Sequence, residues 1–474
     1  MENSAAHAQF LKMTETPVRR LILSLAAPTI CSMLITTFYN MADTFFVAKL
    51  GTSATAAVGI VFSLMAIIQA IGFMFGQGAA SIASRKLGEE KNDEASRATS
   101  TAFFAAFFCG LLLTAVGLAN LDGFMRALGA TETILPFAKD YAKYILIGAP
   151  VMTTSFVMNT NLRAEGKAFF AMTGIVTGGI LNVFLDPLLI FVFDMGIAGA
   201  AIATLFSQCV SFCILLSHFV FKRSVLTISI TKVSRRPSYY MNIVNTGLPT
   251  LLRQGLASVA SIALNTTAAL YGDAAVAAMT IVMRVTMFIG SILIGFGQGF
   301  QPVAGYNYGA KRYDRLMEAY WFCVRTGTVV LGLLGAFLFV NAASVIGIFQ
   351  NSDAMVTVIG TFAFRAQCVT MPLQAIIVIT NMMFQSTGKV KQGSFLAAAR
   401  QGLFFLPAIY VLPPILGLRG VQISQSVADA MSALCAVPLL IPFMNWMKDK
   451  MKEPPVQLND ETLSQLKLPE NDLD

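Results

Sequence analysis

Two carboxylates sit where carboxylates are costly. Asp43 lies in the apolar run 28–48 (PTICSMLITTFYNMADTFFVA), and Asp186 lies in LNVFLDPLLIF. An ionisable group near the middle of a membrane helix costs at least about 2.5–3.5 kcal/mol on insertion scales, so its default reading is functional. Polar partners stand at helical spacing. Tyr39 and Asn40 precede Asp43 by four and three residues, and Asn182 precedes Asp186 by four, so each set shares one helix face. Thr204 and Gln208 make a further i, i+4 pair in the next apolar run. Desolvation disfavours the charged form of a carboxyl, which suits a group that must take up and release a proton. The oxygens of Asp43, Asn182, Asp186 and Thr204 could equally cage a sodium ion. The residue types leave both ions open, and a structural polar bridge between helices is the plainer alternative.

The elements that must hold these residues are membrane spans. Hydrophobic residues make up 56% of the 474, charged residues only 12%, and the mean hydropathy is +0.68. A soluble domain carries about 25% charged residues, so the composition predicts an all-α polytopic membrane protein. Polar breaks divide the chain into spans at 19–49, 55–84, 96–120, 136–162, 169–193 and 197–221, then 240–270, 276–305, 318–341, 357–384, 395–416 and 420–447. The leading tail, the even-numbered loops and the trailing tail hold 23 of the 33 Lys and Arg residues, which predicts that both termini are cytoplasmic. The expected organisation is a cytoplasmic tail (1–18), an N-lobe of six spans (19–221), a cytoplasmic inter-lobe loop (222–239), a C-lobe of six spans (240–448) and a cytoplasmic tail (449–474). The polar, Pro-containing end of that last tail reads as disordered.

The two lobes are copies. Shifted by 221 residues without a gap, 28–88 lies over 249–309 with 18 of 61 positions identical, among them Pro28/Pro249 and the two Gly-Gln-Gly segments, 76–78 and 297–299. Later segments match too, as Pro150/Pro372, Gly166-Lys167/Gly388-Lys389 and Gly196/Gly417. Six spans per copy give both copies one orientation, so they should be related by a pseudo-twofold axis along the membrane normal, with the substrate path between them. Asp43 becomes Leu264 in the second copy, and aligning Pro187 with Pro407 puts Leu406 opposite Asp186. Both acids therefore belong to the first lobe only. The second lobe carries Arg253, Arg284, Arg325, Arg365 and Arg400 within or near its spans, and Asp429 as its clearest intramembrane acid. Arg284 and Arg400 lie deepest and are the candidates for an internal function; the others read as interfacial or carbonyl-bound. Pro28 is a potential bend point in the first span, and the Gly-Gln-Gly segments read as close helix packing.

Other chemistries lack their residues. The seven cysteines all fall in apolar runs, and no His or further Cys joins Cys209 and Cys213, so no metal site is expected. Two histidines and no HExxH exclude a metalloprotease of that type. No basic face on a soluble fold suggests a nucleic-acid partner, and no cleavable leader is expected in the polar first eighteen residues.

With these features the sequence resembles the multidrug and toxin extrusion (MATE) antiporters, in the bacterial and archaeal branch related to DNA-damage-inducible F and the staphylococcal multidrug exporter. The resemblance covers about 19–447 and is carried by the paired Gly-Gln-Gly segments and by NTNLRAEGKA at 159–168. It implies an N-lobe cation site at Asp43, Asn182, Asp186 and Thr204, a bending proline at Pro28, and a supporting tyrosine at Tyr141 beside Tyr39, Asn40 and Gln208. It departs from the branch that places acids in the C-lobe, because 248–270 and 357–384 contain no Asp or Glu. The resulting expectation is a monomeric, multi-pass antiporter of a bacterial or archaeal inner membrane. It would export amphipathic, often cationic, organic compounds in exchange for H+ or Na+, with proton coupling favoured and no cofactor besides the ion. A flippase for a lipid-linked oligosaccharide is the rival within transport and would need a strongly cationic cavity. An intramembrane hydrolase would need convergent His, Glu or Ser-Lys groups that the spans do not supply.

Overall fold

The computed structural model describes residues 2–349 and 353–452, and these form helices joined by short loops, with no strand among them. The far end of the trailing tail, 453–474, lies outside the described residues. Twelve spans make two six-helix repeats. The first repeat contains spans one to six: Val18–Ala48, Thr52–Gly88, Asn92–Ala119, Leu135–Ala164, Ala168–Pro187 with its continuation Leu188–Val192, and Gly196–Val220. Spans seven to nine are Pro237–Ala269, Asp273–Gly309 and Tyr313–Val340. Span ten is the pair Ala354–Thr370 and Leu373–Ser386, bent by 56°. Span eleven runs through Val390–Ala398, Ala399–Phe405 and Leu406–Leu416, and span twelve is Leu418–Lys452.

Nine of these helices are long and apolar enough to cross a bilayer as single pieces, and the bent pair makes a tenth. Spans four and seven are as long but more polar, and both carry residues that face the other lobe. The break in span ten falls at Met371-Pro372, where proline cannot donate to the helix ladder. Its counterpart Pro150 stays inside one continuous helix. Spans five and eleven both widen into a π-helical turn beside a proline, at Leu188–Val192 and Ala399–Phe405.

The repeat is visible in backbone detail. Positive φ recurs at Gly51 and Gly272 (114° and 97°), at Gly166 and Gly388 (84° and 77°), and at Glu90 and Lys311 (57° and 56°). The amide of Asn159 donates to the Ala171 carbonyl at 2.8 Å, and Asn381 donates to Gly393 at 2.6 Å. The inter-lobe packing is equally paired. A Cβ on Gly78 would collide with span seven at Ile243 and Gly247, and one on Gly299 would collide with span one at Ala26. A Cβ on Gly88 would strike the Tyr306 carbonyl, and one on Gly309 the Arg85 carbonyl. Glycine is required at these points because backbones touch. Away from this end the restraint disappears: Gly59, Gly255 and Gly290 meet nothing within 4 Å. The lobes are thus closed together backbone to backbone at the end that carries Gly88 and Gly309, and farther along they meet through side chains, Thr37 with Ser291 and Phe38 with Phe288.

Two features of that closed end go beyond the sequence reading. The leading polar stretch forms a helix, Glu2–Glu15, with Met13 fully buried. It touches both lobes, since Gln9 donates to the Glu165 carbonyl, Asn307 donates to the Met13 carbonyl, and Arg315 donates to the Thr16 carbonyl. The inter-lobe loop is pinned to the N-lobe. Buried Glu165 accepts from the Ser224 hydroxyl and the Val225 and Leu226 amides, at 2.9, 2.8 and 3.2 Å. Burial raises its carboxyl above the ordinary range, while Lys167 and these donors pull it back. Ser96, Ser100 and Thr101 of span three hold the loop as far as Ser234.

Candidate functional site in the N-lobe

Spans one, four, five and six converge on one buried polar group. Asp43, Asn182, Asp186 and Thr204 are each at most 4% exposed, and Tyr141 is fully buried. The Tyr141 hydroxyl donates to Asp43 Oδ2 at 3.4 Å and also lies against Thr204. Asn182 Nδ2 donates to Asp186 Oδ1 at 3.1 Å and reaches Thr204 Oγ1 at 3.4 Å. The i, i+4 spacing of Asn182 and Asp186 brings amide and carboxylate together on one turn, as helix geometry requires.

The group is rich in acceptors. Asp43 Oδ1, Asn182 Oδ1 and Asp186 Oδ2 are buried and have no hydrogen-bond partner. Neither carboxylate has a Lys, Arg or His partner among the described residues. A buried charge without a counter-ion is expensive, and each orphaned oxygen adds to the cost. A proton or a small hard cation would relieve both. Oxygen donors of carboxylate, amide and hydroxyl type suit such a cation, and thiol or imidazole ligands are absent from the group.

Beside it opens a cavity of about 50 Å³, lined among others by Thr36, Tyr39, Gln69, Asn182, Thr204 and Gln208. That is room for a few waters. Asn182 and Thr204 therefore connect the cavity to the two carboxylates, which do not line it. Tyr39 and Gln208 belong to its wall. Asn40 is only half-buried, and its side chain makes no hydrogen bond among the described residues. Sequence spacing did not single out Gln69, Ser207 or Ser211 as cavity residues, although Ser207 and Ser211 share an i, i+4 face. Pro28 sits inside the continuous helix Val18–Ala48, and the Ser32 hydroxyl donates to its carbonyl at 2.9 Å.

The C-lobe counterpart is built differently. Arg400 donates through Nε to Asp429 Oδ1 at 2.7 Å and through a terminal nitrogen to Oδ2 at 3.3 Å. Gln374 and Gln425 donate to the same carboxylate, each at 2.9 Å. Asp429 is thus fully buried and fully satisfied, with its charge balanced. Gln374 was not foreseen; Gln425 could have been, standing four residues before Asp429. Arg284 is exposed and has no hydrogen bond or ion pair among the described residues. Arg253 donates to Asn381 at 3.3 Å, Arg365 donates to the Phe339 carbonyl, and Arg325 stacks on Trp321.

Comparisons with known proteins agree with this architecture. A sequence model of the MatE family matches residues 28–188 and 249–411, once in each repeat and over more than half of the chain. The multidrug export protein MepA of Staphylococcus saprophyticus is 26% identical over 417 residues, which cover 88% of this chain and 92% of that protein. MepA of Staphylococcus aureus is 26% identical over 430 residues, covering 90% and 95%. A solved structure described as the outward-facing conformation of a multidrug resistance MATE family transporter is similar with a TM-score of 0.87. It is 27% identical, and the match covers 93% of this chain and 98% of that one.

Proposed function

This chain belongs to the MatE family and is a multi-pass membrane transporter, and from that premise we propose that it is a secondary antiporter driven through its N-lobe. In this reading it exports amphipathic or cationic organic compounds across a bacterial or archaeal inner membrane, with both termini in the cytoplasm. The coupling ion is a proton, with sodium as the variant. The observation that carries the reading is the unpaired pair of buried acids: Asp43 and Asp186 have no basic partner, and three acceptor oxygens around them are unsatisfied. The C-lobe holds no such group, because Arg400 neutralises Asp429 internally. That pairing leaves Arg400 unavailable to an anionic lipid headgroup, which the flippase alternative would need.

The test is efflux from proteoliposomes under two gradients. A pH gradient in sodium-free buffer should drive export, and a sodium gradient without a pH gradient should not. Export under the sodium gradient alone would make sodium the coupling ion. Export under neither, with correctly inserted protein and a broad compound panel, would overturn the antiport reading.

A further inference from the structure

The two Gly-Gln-Gly segments and the NTNLRAEGKA segment, which the cation site does not use, meet between the lobes. Gln77 and Gln298, equivalent by the 221-residue repeat, line one small cavity with Arg163 of span four and Ser386 of span ten. Gln385, one residue before Ser386, is the repeat counterpart of Arg163, so this cavity lies at the pseudo-twofold axis. The symmetry fails in one respect: one copy supplies a guanidinium and the other a neutral amide.

Arg163 is 5% exposed. It donates to the Gln298 side-chain carbonyl across the lobe interface, and its other terminal nitrogen is buried with no partner. No carboxylate is in reach. Spans two and ten contain no Asp or Glu, and the acids of spans four and eight, Asp140 and Asp273, stand more than 20 residues away along their helices, or more than about 30 Å at 1.5 Å per residue. The nearest acid in sequence, Glu165, accepts at Oε2 from Ser224, Val225 and Leu226, and its Oε1, which has no hydrogen bond, lies 3.6 Å from the Lys167 ammonium. The remaining groups at the cavity are neutral. Ser386 Oγ is also buried without a partner, and the Gln298 amide nitrogen makes no hydrogen bond once its oxygen is taken by Arg163. The cavity volume is about 10 Å³, the size for one water-sized occupant.

We propose that this inter-lobe cavity binds one small monovalent inorganic anion on Arg163, and that the bound anion helps hold the lobes together at this end. An isolated buried cation is costly to close over, and an anion among three donors removes that cost. The site exists only while spans two, four, eight and ten are in contact. An anion bound there therefore favours the closed arrangement by its differential affinity for it. This assignment does not depend on which cation drives transport.

Crystals of the full chain grown with bromide should show an anomalous peak at the free terminal nitrogen of Arg163. In solution, Tm should rise and saturate with chloride when chloride replaces gluconate at constant ionic strength. Arg163→Gln should lose that dependence, and Arg163→Lys should keep part of it. A water-like density with no anomalous signal, or a wild-type Tm equal in chloride and gluconate, would overturn the proposal. The wild-type measurements decide it even if Arg163→Gln fails to fold.

Discussion

At the scale of single residues, the two lobes solve the same problem in opposite ways. The Gly196/Gly417 register places Gln425 where the N-lobe has Thr204, and Asp429 where it has Gln208. In the C-lobe a guanidinium is covalently attached beside the acid, so no exchangeable cation is needed. In the N-lobe the two acids have no such partner, which in the proposed reading leaves them for an exchangeable ion. Asp43→Asn should therefore reduce gradient-driven efflux to background while leaving folded protein in the membrane, since Leu264 occupies the equivalent place in the repeat. Efflux at the wild-type rate, or loss of the protein from the membrane, would contradict this. Arg400→Met should instead act on stability. It strands a fully buried carboxylate, a change that costs about 3–5 kcal/mol in comparable pairs, whereas adding Asp429→Leu should recover most of the loss. Thermal unfolding of the single and double variants in detergent checks the difference. The N-lobe pair Asn182 and Asp186 was legible because both members sit one turn apart on one helix. Gln374 was not, because its approach to Asp429 depends on how spans ten and twelve pack.

At the scale of elements, long apolar runs made the spans readable, and most ends fall within a few residues of those expected from polar breaks. What the pattern could not show was where a span bends or a polar stretch folds. Pro150 and Pro372 are equivalent in sequence, yet only the second interrupts its helix. The helix Glu2–Glu15 has no apolar stripe long enough to announce it, and it is held by buried Met13, by Gln9 on the Glu165 carbonyl and by Asn307 donating to the Met13 carbonyl, contacts that only the assembled lobes provide. The first span carries a prediction of its own. Pro28 stands fifteen residues before Asp43, about 22 Å along the helix, and it removes one ladder hydrogen bond. Under the proposed antiport reading the half of the span that carries Asp43 repacks when the acid gains or loses its ion, while the half before Pro28, packed through Ala26 on Gly299, stays fixed. Pro28→Ala should lower turnover more than substrate affinity. Binding and efflux measured on the same purified variant separate the two; a loss confined to affinity would make the proline a packing residue.

At the scale of the whole molecule, alternating access requires the closed end to open. The repeat predicted two lobes about an axis, and it did so from identities at glycines whose reason is now clear: Gly78, Gly88, Gly299 and Gly309 are among the points where the lobes touch backbone to backbone. The loop between the lobes reads as a tether in the sequence, but its residues as far as Ser234 are fixed to the N-lobe, which leaves Arg235 and Arg236 before span seven begins at Pro237. Rocking must therefore take place about a short connection, and it must break whatever else joins the lobes at that end. The helix Glu2–Glu15 is such a joint, bound to the Glu165 carbonyl on one side and to Asn307 on the other, with Arg315 on the Thr16 carbonyl just beyond it. Each bond contributes about 1 kcal/mol, more where the donor is charged, so their sum is enough to shift a two-state balance several-fold. Removing residues 2–13 should favour opening at this end. Ser84, 2% exposed and packed against Gly305 of the other lobe, reports on it when replaced by cysteine. A thiol reagent should modify Ser84→Cys several-fold faster in the truncated protein than in the full chain. Arg315→Ala should give an intermediate rate, and equal rates in all three would show that the helix rides on one lobe and does not restrain the other.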